Sequence, residues 1–258
     1  MGTMSESYVL GIDVGGSGIK GALVDLDTGK PVTPRKRIKT PKGFERGAVG
    51  ETIAKLVRKF DYSGPVGVGF PAAVAGGVVL TPPTAHHFPG WVGEAVDRQF
   101  TQATGCPVTV LNDADAAGLA EVRFGAGRGV GGVVIAITLG TGVGGGLFMD
   151  GRLVPNLEVG KLYLPGHDTV VEQYVASRIR DEEMLDWADY AARVTEFLRH
   201  VELLFSPAMI VVGGGISTKH RKFLQPEMLE RTRVVPARLR NEAGIVGAAC
   251  LAAEQAER

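Results

Sequence analysis

Apolar positions along this chain fall in short runs broken by glycine, and their spacing predicts most of the elements. Val9, Leu10 and Ile12 have the character of a buried strand, the run breaks at Gly15 to Gly18, and it resumes from Ile19 to Val24. A strand, a glycine turn and a second strand are expected there. Glu51 to Phe60 places Ile53, Leu56, Val57 and Phe60 at helical spacing, and Val66 to Phe70 returns to a strand that ends at Pro71. Val108 to Leu111 reads as a short strand running into an alanine-rich helix over Ala114 to Glu121, and Val133 to Ile137 as another buried strand. The clearest amphipathic helix covers Asp186 to Phe205, with Trp187, Val194, Phe197, Leu198 and Val201 on its apolar side. A strand over Met209 to Val212 and a small-residue helix over Ala243 to Ala253 complete the pattern.

One block occurs twice. Sliding the chain by about 125 residues lays GIDVGGSGIKGALVD (Gly11 to Asp25) over AITLGTGVGGGLFMD (Ala136 to Asp150), with Gly15 on Gly140, Ser17 on Gly142 and Asp25 on Asp150. Such repetition points to two half-domains of like architecture. In a glycine turn no side chain covers the backbone N–H groups, so several can converge on an anion, and Ser17 adds a hydroxyl. A phosphate chain suits two such turns, and a duplicated nucleotide-binding fold is expected. Asp13, inside the first block, is placed to share a magnesium ion with phosphate oxygens.

Composition narrows the function. At 258 residues and 45% hydrophobic the chain can bury one large core or two modest ones. Its formal charge is +0, so no global field draws nucleic acid or an anionic membrane, and any polyanion must be bound locally. Cys106 and Cys250 are far apart and form no CxxC, which argues for neither a disulfide framework nor a zinc site and fits a reducing cytoplasm. MGTMSES lacks the basic and apolar blocks of a signal peptide. The stretch between Arg128 and Asp150 carries no charge, yet its glycines leave no continuous apolar helix to span a membrane.

Asn112 and Asp113 stand where a strand meets a helix, so Asp113 can be a helix N-cap or a carboxylate that accepts a proton from a substrate hydroxyl, with Asn112 orienting that substrate. Further on, Glu158 and Glu172, with Lys161 and His167 nearby in sequence, suit the hydroxyls of a polyol. Gly213, Gly214 and Gly215 follow a strand and offer a close backbone approach that could border a nucleotide. The basic run Arg35, Lys36, Arg37, Lys39 and Lys42 reads as a solvated edge strand and loop. His86, His87 and Trp91 cluster in a proline-rich loop, where adjacent histidines make a weak metal site. A dinucleotide fingerprint would open a helix, whereas Gly140 to Gly146 runs into a hairpin-like LFMDGRLV, and no GK[ST] of a Walker loop is present.

In order along the chain, GIDVGGSGIKG, LNDADAA, LGTGVGGG, NLEVG, VVGGGIS and NEAGIVGAA resemble the ROK family of sugar kinases. The tail, and the lack of the family's cysteine-rich zinc motif, are similar to its polyphosphate glucokinase branch. That resemblance implies an actin-like, ribonuclease-H-like pair of α/β domains closing over a cleft, here 1–112 and 113–258 with the C-terminal helix free to return to the first, usually as a homodimer. It also implies phosphoryl transfer from polyphosphate, ATP or both to a hexose, most simply glucose. Carried over where residues match, Asp113 is the general base, Asn112, Glu158 and Glu172 are sugar contacts, Gly15, Gly16, Ser17, Thr141 and Gly142 hold donor phosphates, and Asp13 lies near magnesium. Two positions that also fall among the sugar contacts depart: Lys161 stands where the ExGH motif has histidine, and His87 where an NLPGW-like loop has asparagine. A lysine ion-paired with Glu158 would withdraw that carboxylate from a sugar hydroxyl, so a shift of specificity away from glucose is expected. A sugar-sensing regulator is the non-enzymatic rival, but the family's repressors carry an N-terminal DNA-binding domain, and here the first strand begins by Tyr8. A catalytically weak sugar- or polyol-binding protein stays open beside the kinase.

Overall fold

A computed structural model describes residues 8–83, 89–225 and 227–256. The chain divides into two compact units, Met1–Ala120 with Glu242–Arg258, and Glu121–Asn241. In the first, β1 (Tyr8–Val14), β2 (Ile19–Asp25), β3 (Lys30–Pro31) and β4 (Lys36–Ile38) precede α1 (Arg46–Phe60) and β5 (Val66–Phe70). A small hairpin of β6 (Val74–Ala75) and β7 (Val78–Val79), then α2 (Val96–Thr104), β8 (Val108–Asn112) and α3 (Asp113–Phe124) follow. The sheet order is β3-β2-β1-β5-β8 with β4 also on β2; β1 and β2 are antiparallel, while β1, β5 and β8 are parallel.

The second unit repeats that plan with β9 (Val133–Leu139), β10 (Val143–Met149), β11 (Arg152–Leu157), α4 (Glu172–Val175), α5 (Ser177–Glu182), α6 (Trp187–Phe205), β12 (Met209–Gly213) and β13 (Arg233–Pro236). Its order is β11-β10-β9-β12-β13, again an antiparallel hairpin followed by parallel strands. The hairpin expected after the second glycine block is present: β10 and β11 join through Asp150 and Gly151, both at positive φ (49° and 78°), as a tight primed turn requires. The repeat slips by one residue inside its turn. Val14 pairs with Ile19 across the first turn but Leu139 with Val143 across the second, so Ile19 corresponds to Val143, not Gly144.

The unit boundary falls inside α3 and not at 112/113, because the helix serves both units. Ala116 packs 3.6 Å from where a Cβ on Gly69 would stand, while Glu121 accepts hydrogen bonds from the Arg238 and Leu239 backbone at 2.8 and 2.7 Å. In the first core Trp91 is fully buried among Phe44, Phe70 and Phe100 and donates to the Phe44 carbonyl at 3.0 Å. Its role is therefore packing, which the proline-rich sequence around it hides. In the second, Val194, Phe197, Leu198 and Val201 of α6 join Ile135, Ile137, Ile210 and Val212. Asp186 caps α6 by accepting from the Asp189 N–H at 2.9 Å.

The final helix, α7 (Ala243–Ala256), returns to the first unit and lies on β1 and β5. Backbone meets backbone there. A Cβ on Gly67 would stand 1.8 Å from the Ala248 carbonyl oxygen, and one on Gly11 1.9 Å from that of Ile245. Gly67→Ala must push the helix off the sheet, and overpacking of this kind costs about 2–3 kcal/mol. For a chain of this size the melting temperature should drop by roughly 5–10 °C. Calorimetry checks this, and an unchanged melt would mean that helix and sheet do not touch as described.

Candidate active site

In the first unit the candidate residues gather at the carboxyl ends of parallel strands, where open α/β sheets bind ligands. Asp13 is in register with Gly69 of β5, and Gly69 with Leu111 of β8, so Asp13 and the Asn112–Asp113 pair lie at one level, roughly 10 Å apart across two strand spacings. Asn112 is the cap of α3: its Oδ1 accepts from the Ala114 and Asp115 N–H groups at 2.9 and 3.1 Å. The cap role considered for Asp113 thus belongs to its neighbour. Asn112 Nδ2 also donates to the Ala72 carbonyl at 3.1 Å, and among the described residues its second amide N–H is not taken up. Asp113 opens the helix, half-buried, at the positive end of the helix dipole.

The first glycine turn is closed by Gly15 N–H donating to the Gly18 carbonyl at 3.2 Å. Thr40 Oγ1 donates to the Gly15 carbonyl and Arg37 Nη2 to the Ser17 carbonyl, both at 2.6 Å. Asp13 pairs with Lys20 through Oδ2 at 3.4 Å, and its Oδ1 lies 3.5 Å from where a Cβ on Gly244 would stand. Such a partly exposed carboxylate beside a glycine turn is of the kind that can hold magnesium, which takes one or two carboxylate oxygens and completes its shell with phosphate and water.

In the second unit the structure brings Thr141 and Gly142 beside the triple glycine. A Cβ on Gly214, whose φ is 81°, would fall 2.2 Å from the Leu139 carbonyl oxygen, immediately before the turn. Glu172 is packed under the same turn: Oε2 accepts from the Val143 N–H at 3.2 Å, and Oε1 from Lys161 Nζ at 3.2 Å. Lys161 therefore pairs with Glu172, not with Glu158 as the sequence suggested. The 3₁₀ turn over Val159–Lys161 fixes this, since Lys161 N–H bonds back to the Glu158 carbonyl while its side chain reaches α4. His167 is taken up elsewhere, 2.8 Å from Glu196 and tilted against the Tyr174 ring, centroids 4.4 Å apart. Beyond the triple glycine lies a cavity of about 440 Å³ bordered by Ser217, His220, Arg233, Arg238 and Arg240. Among the described residues no carboxylate lines it. His87 lies outside the described residues.

Sequence reasoning missed Arg37 and Arg178. The first was read as solvated charge, yet it reaches the Ser17 carbonyl; the second donates from Nε to the Thr141 carbonyl at 2.8 Å. Neither leaves a mark in the sequence, because each acts on a backbone carbonyl.

A model of the ROK family matches residues 9–162. The chain is 43% identical to a polyphosphate glucokinase of Mycobacterium tuberculosis strain H37Rv over 96% of its length and 92% of the relative's. The solved inorganic polyphosphate/ATP-glucomannokinase of Arthrobacter sp. strain KM superposes with a TM-score of 0.88 at 44% identity, covering 97% of this chain and all of that one. A ROK family glucokinase from Streptomyces griseus, solved with glucose and AMPPNP, gives 0.76 at 26% identity over 96% and 99%.

Burial raises the pKa of Glu158 above the ordinary 4.5, an effect that Lys161 opposes and Glu172 reinforces. A carboxyl raised in the folded state keeps its proton longer than in the unfolded chain, so stability falls as pH climbs from 4.5 through the folded value. Glu158→Gln should therefore be more stable than the parent at pH 7, with the advantage gone at about pH 3, where both side chains are neutral. Denaturation midpoints at the two pH values test this; an equal gain or loss at both would refute it.

Proposed function

We propose that this chain, which belongs to the ROK family, is a kinase that transfers a phosphoryl group from inorganic polyphosphate or ATP to a hydroxyl of glucose. The observation that carries the reading is Asp113 at the head of α3, level with Asp13 and its glycine turn at the carboxyl ends of β1, β5 and β8. Transfer to an alcohol needs the hydroxyl positioned and its proton accepted as the new bond forms, with little other covalent work for the protein. Asp113 accepts that proton and Asn112 offers its remaining amide N–H to the sugar.

Gly15, Gly16, Ser17, Thr141 and Gly142 hold donor phosphates through backbone N–H groups. Asp13 supplies a carboxylate oxygen to magnesium, which when bound neutralises charge on the donor. Gly213, Gly214 and Gly215, with the basic cavity beyond them, accommodate the nucleotide or the remainder of a polyphosphate chain. Glu158 holds a sugar hydroxyl. Because Lys161 is engaged by Glu172, Glu158 keeps its carboxylate for that task, and glucose remains the acceptor.

Within this reading the enzyme works in the cytoplasm as a homodimer. Its two cysteines are buried and neither is in a disulfide, and among the described residues no helix is long and apolar enough to cross a membrane. Purified protein with magnesium, glucose and either polyphosphate or ATP should form glucose phosphate. Asp113→Asn should retain the fold and glucose affinity while kcat falls roughly 10²-fold or more. Near-normal turnover in that variant would remove Asp113 as the base, and no product from the parent protein with either donor would remove the kinase reading.

A further inference from the structure

A trans peptide points its carbonyl and the next N–H in opposite directions, so tying down a carbonyl on one side of a turn presents the following N–H on the other. Both glycine turns are tied this way. In the first, Thr40 holds the Gly15 carbonyl and Arg37 the Ser17 carbonyl, which turns the Gly16 and Gly18 N–H groups away from these clamps. In the second, Ser177 holds the Gly140 carbonyl with both its hydroxyl and its N–H, at 2.8 and 2.9 Å, and Arg178 holds the Thr141 carbonyl at 2.8 Å. The Thr141 and Gly142 N–H groups then face away from the clamps.

The clamps have the same composition, one hydroxyl and one guanidinium, but come from unrelated places. Arg37 and Thr40 lie on and just after edge strand β4, whereas Ser177 and Arg178 begin α5. Neither pair belongs to the repeated block, so duplication of that block does not account for the likeness. Connection of strands does not need it either, because water satisfies exposed turn carbonyls. Space is reserved for the first clamp: a Cβ on Gly18 would stand 2.2 Å from Arg37 Nε, although Gly18 is not among the glycines with positive φ. Among the described residues Arg37 has no carboxylate within ion-pair distance, while Arg178 pairs with Glu182 at 3.2 Å.

We infer that Arg37 and Arg178 are positioning residues for the phosphoryl donor, each aiming the N–H groups of its turn at donor phosphates by holding a carbonyl from behind. The inference rests on the reading that these turns bind the donor. Arg37 brings an uncompensated positive charge as well, so its removal should cost the more.

Tripolyphosphate with magnesium is the probe, its binding measured by calorimetry beside glucose binding and steady-state kinetics. Arg37→Met should weaken tripolyphosphate binding and raise the donor KM by roughly 10-fold or more, the scale of one charge-assisted hydrogen bond. Arg178→Met should do so to a lesser degree. Glucose affinity and melting temperature should stay unchanged in both, and Arg37→Lys should recover most of the loss. Gly18→Ala displaces the guanidinium without removing its charge, so it should weaken donor binding in the parent and add nothing in the Arg37→Met background. Unchanged donor binding in Arg37→Met and Gly18→Ala overturns the inference, as does a loss shared equally by donor and glucose together with a lowered melt. If the parent binds tripolyphosphate but makes no glucose phosphate, the kinase reading fails while the binding series still decides the clamps. A parent that binds neither tripolyphosphate nor a nonhydrolysable ATP analogue overturns both.

Discussion

The approach of α7 to the first sheet sets the geometry on which the Asp13–Asp113 arrangement depends. Helix and strands meet without intervening side chains at Gly11 and Gly67, and a Cβ on Gly247 would stand 1.7 Å from the Ala116 carbonyl oxygen of α3. The last helix is thus locked at once against the strand that carries Asp13, the strand beside it, and the helix that Asp113 opens. Its composition follows. A helix that close to a sheet has no room for long side chains, and Ala248, Ala249 and Ala252 gain their stabilisation from many short-range dispersion contacts. Gly244, at its start, leaves the space beside the Asp13 carboxylate open.

A second constraint acts on the turns. A carbonyl oxygen and a phosphate oxygen carry charge of the same sign, so a turn that binds phosphate through its N–H groups must keep its own carbonyls out of the way. Closing the turn on itself deals with one carbonyl, through Gly15 to Gly18 in the first unit and Gly140 to Gly142 in the second. Side chains reaching in from outside deal with the others. Glycine is required here less for freedom of the backbone than for the space given to these side chains, as the guanidinium against Gly18 shows.

Much of this was legible in the chain itself, because buried strands, glycine turns and amphipathic helices leave periodic marks. The strand–turn–strand at Val9 to Val24, its second copy, and the hairpin after it are all where the apolar runs place them. What escaped was set by tertiary contact. Asn112 and Asp113 are equally good caps by composition, and only the fold decides that Asn112 faces the open N–H groups. The second turn is one residue shorter than the first, yet glycine-rich flanks make either alignment look acceptable. Arg37 and Arg178 act on backbone carbonyls, which leave no trace in sequence, and Trp91 becomes core only once Phe44, Phe70 and Phe100 surround it.

Lys161 illustrates how a departure from a family pattern can preserve an electrostatic requirement. Glu172 braces the second turn by accepting the Val143 N–H, and its Oε2 would be only 2.5 Å from a Cβ on Gly142. A bare carboxylate there would repel any anion brought to the turn. A cation must therefore accompany it, and Lys161 does so at 3.2 Å. Half-exposed pairs of this kind contribute at most about 1 kcal/mol to stability, so what matters is where the charge is placed. Lys161 thus places its charge on the carboxylate that braces the turn, and Glu158 stays outside that ion pair.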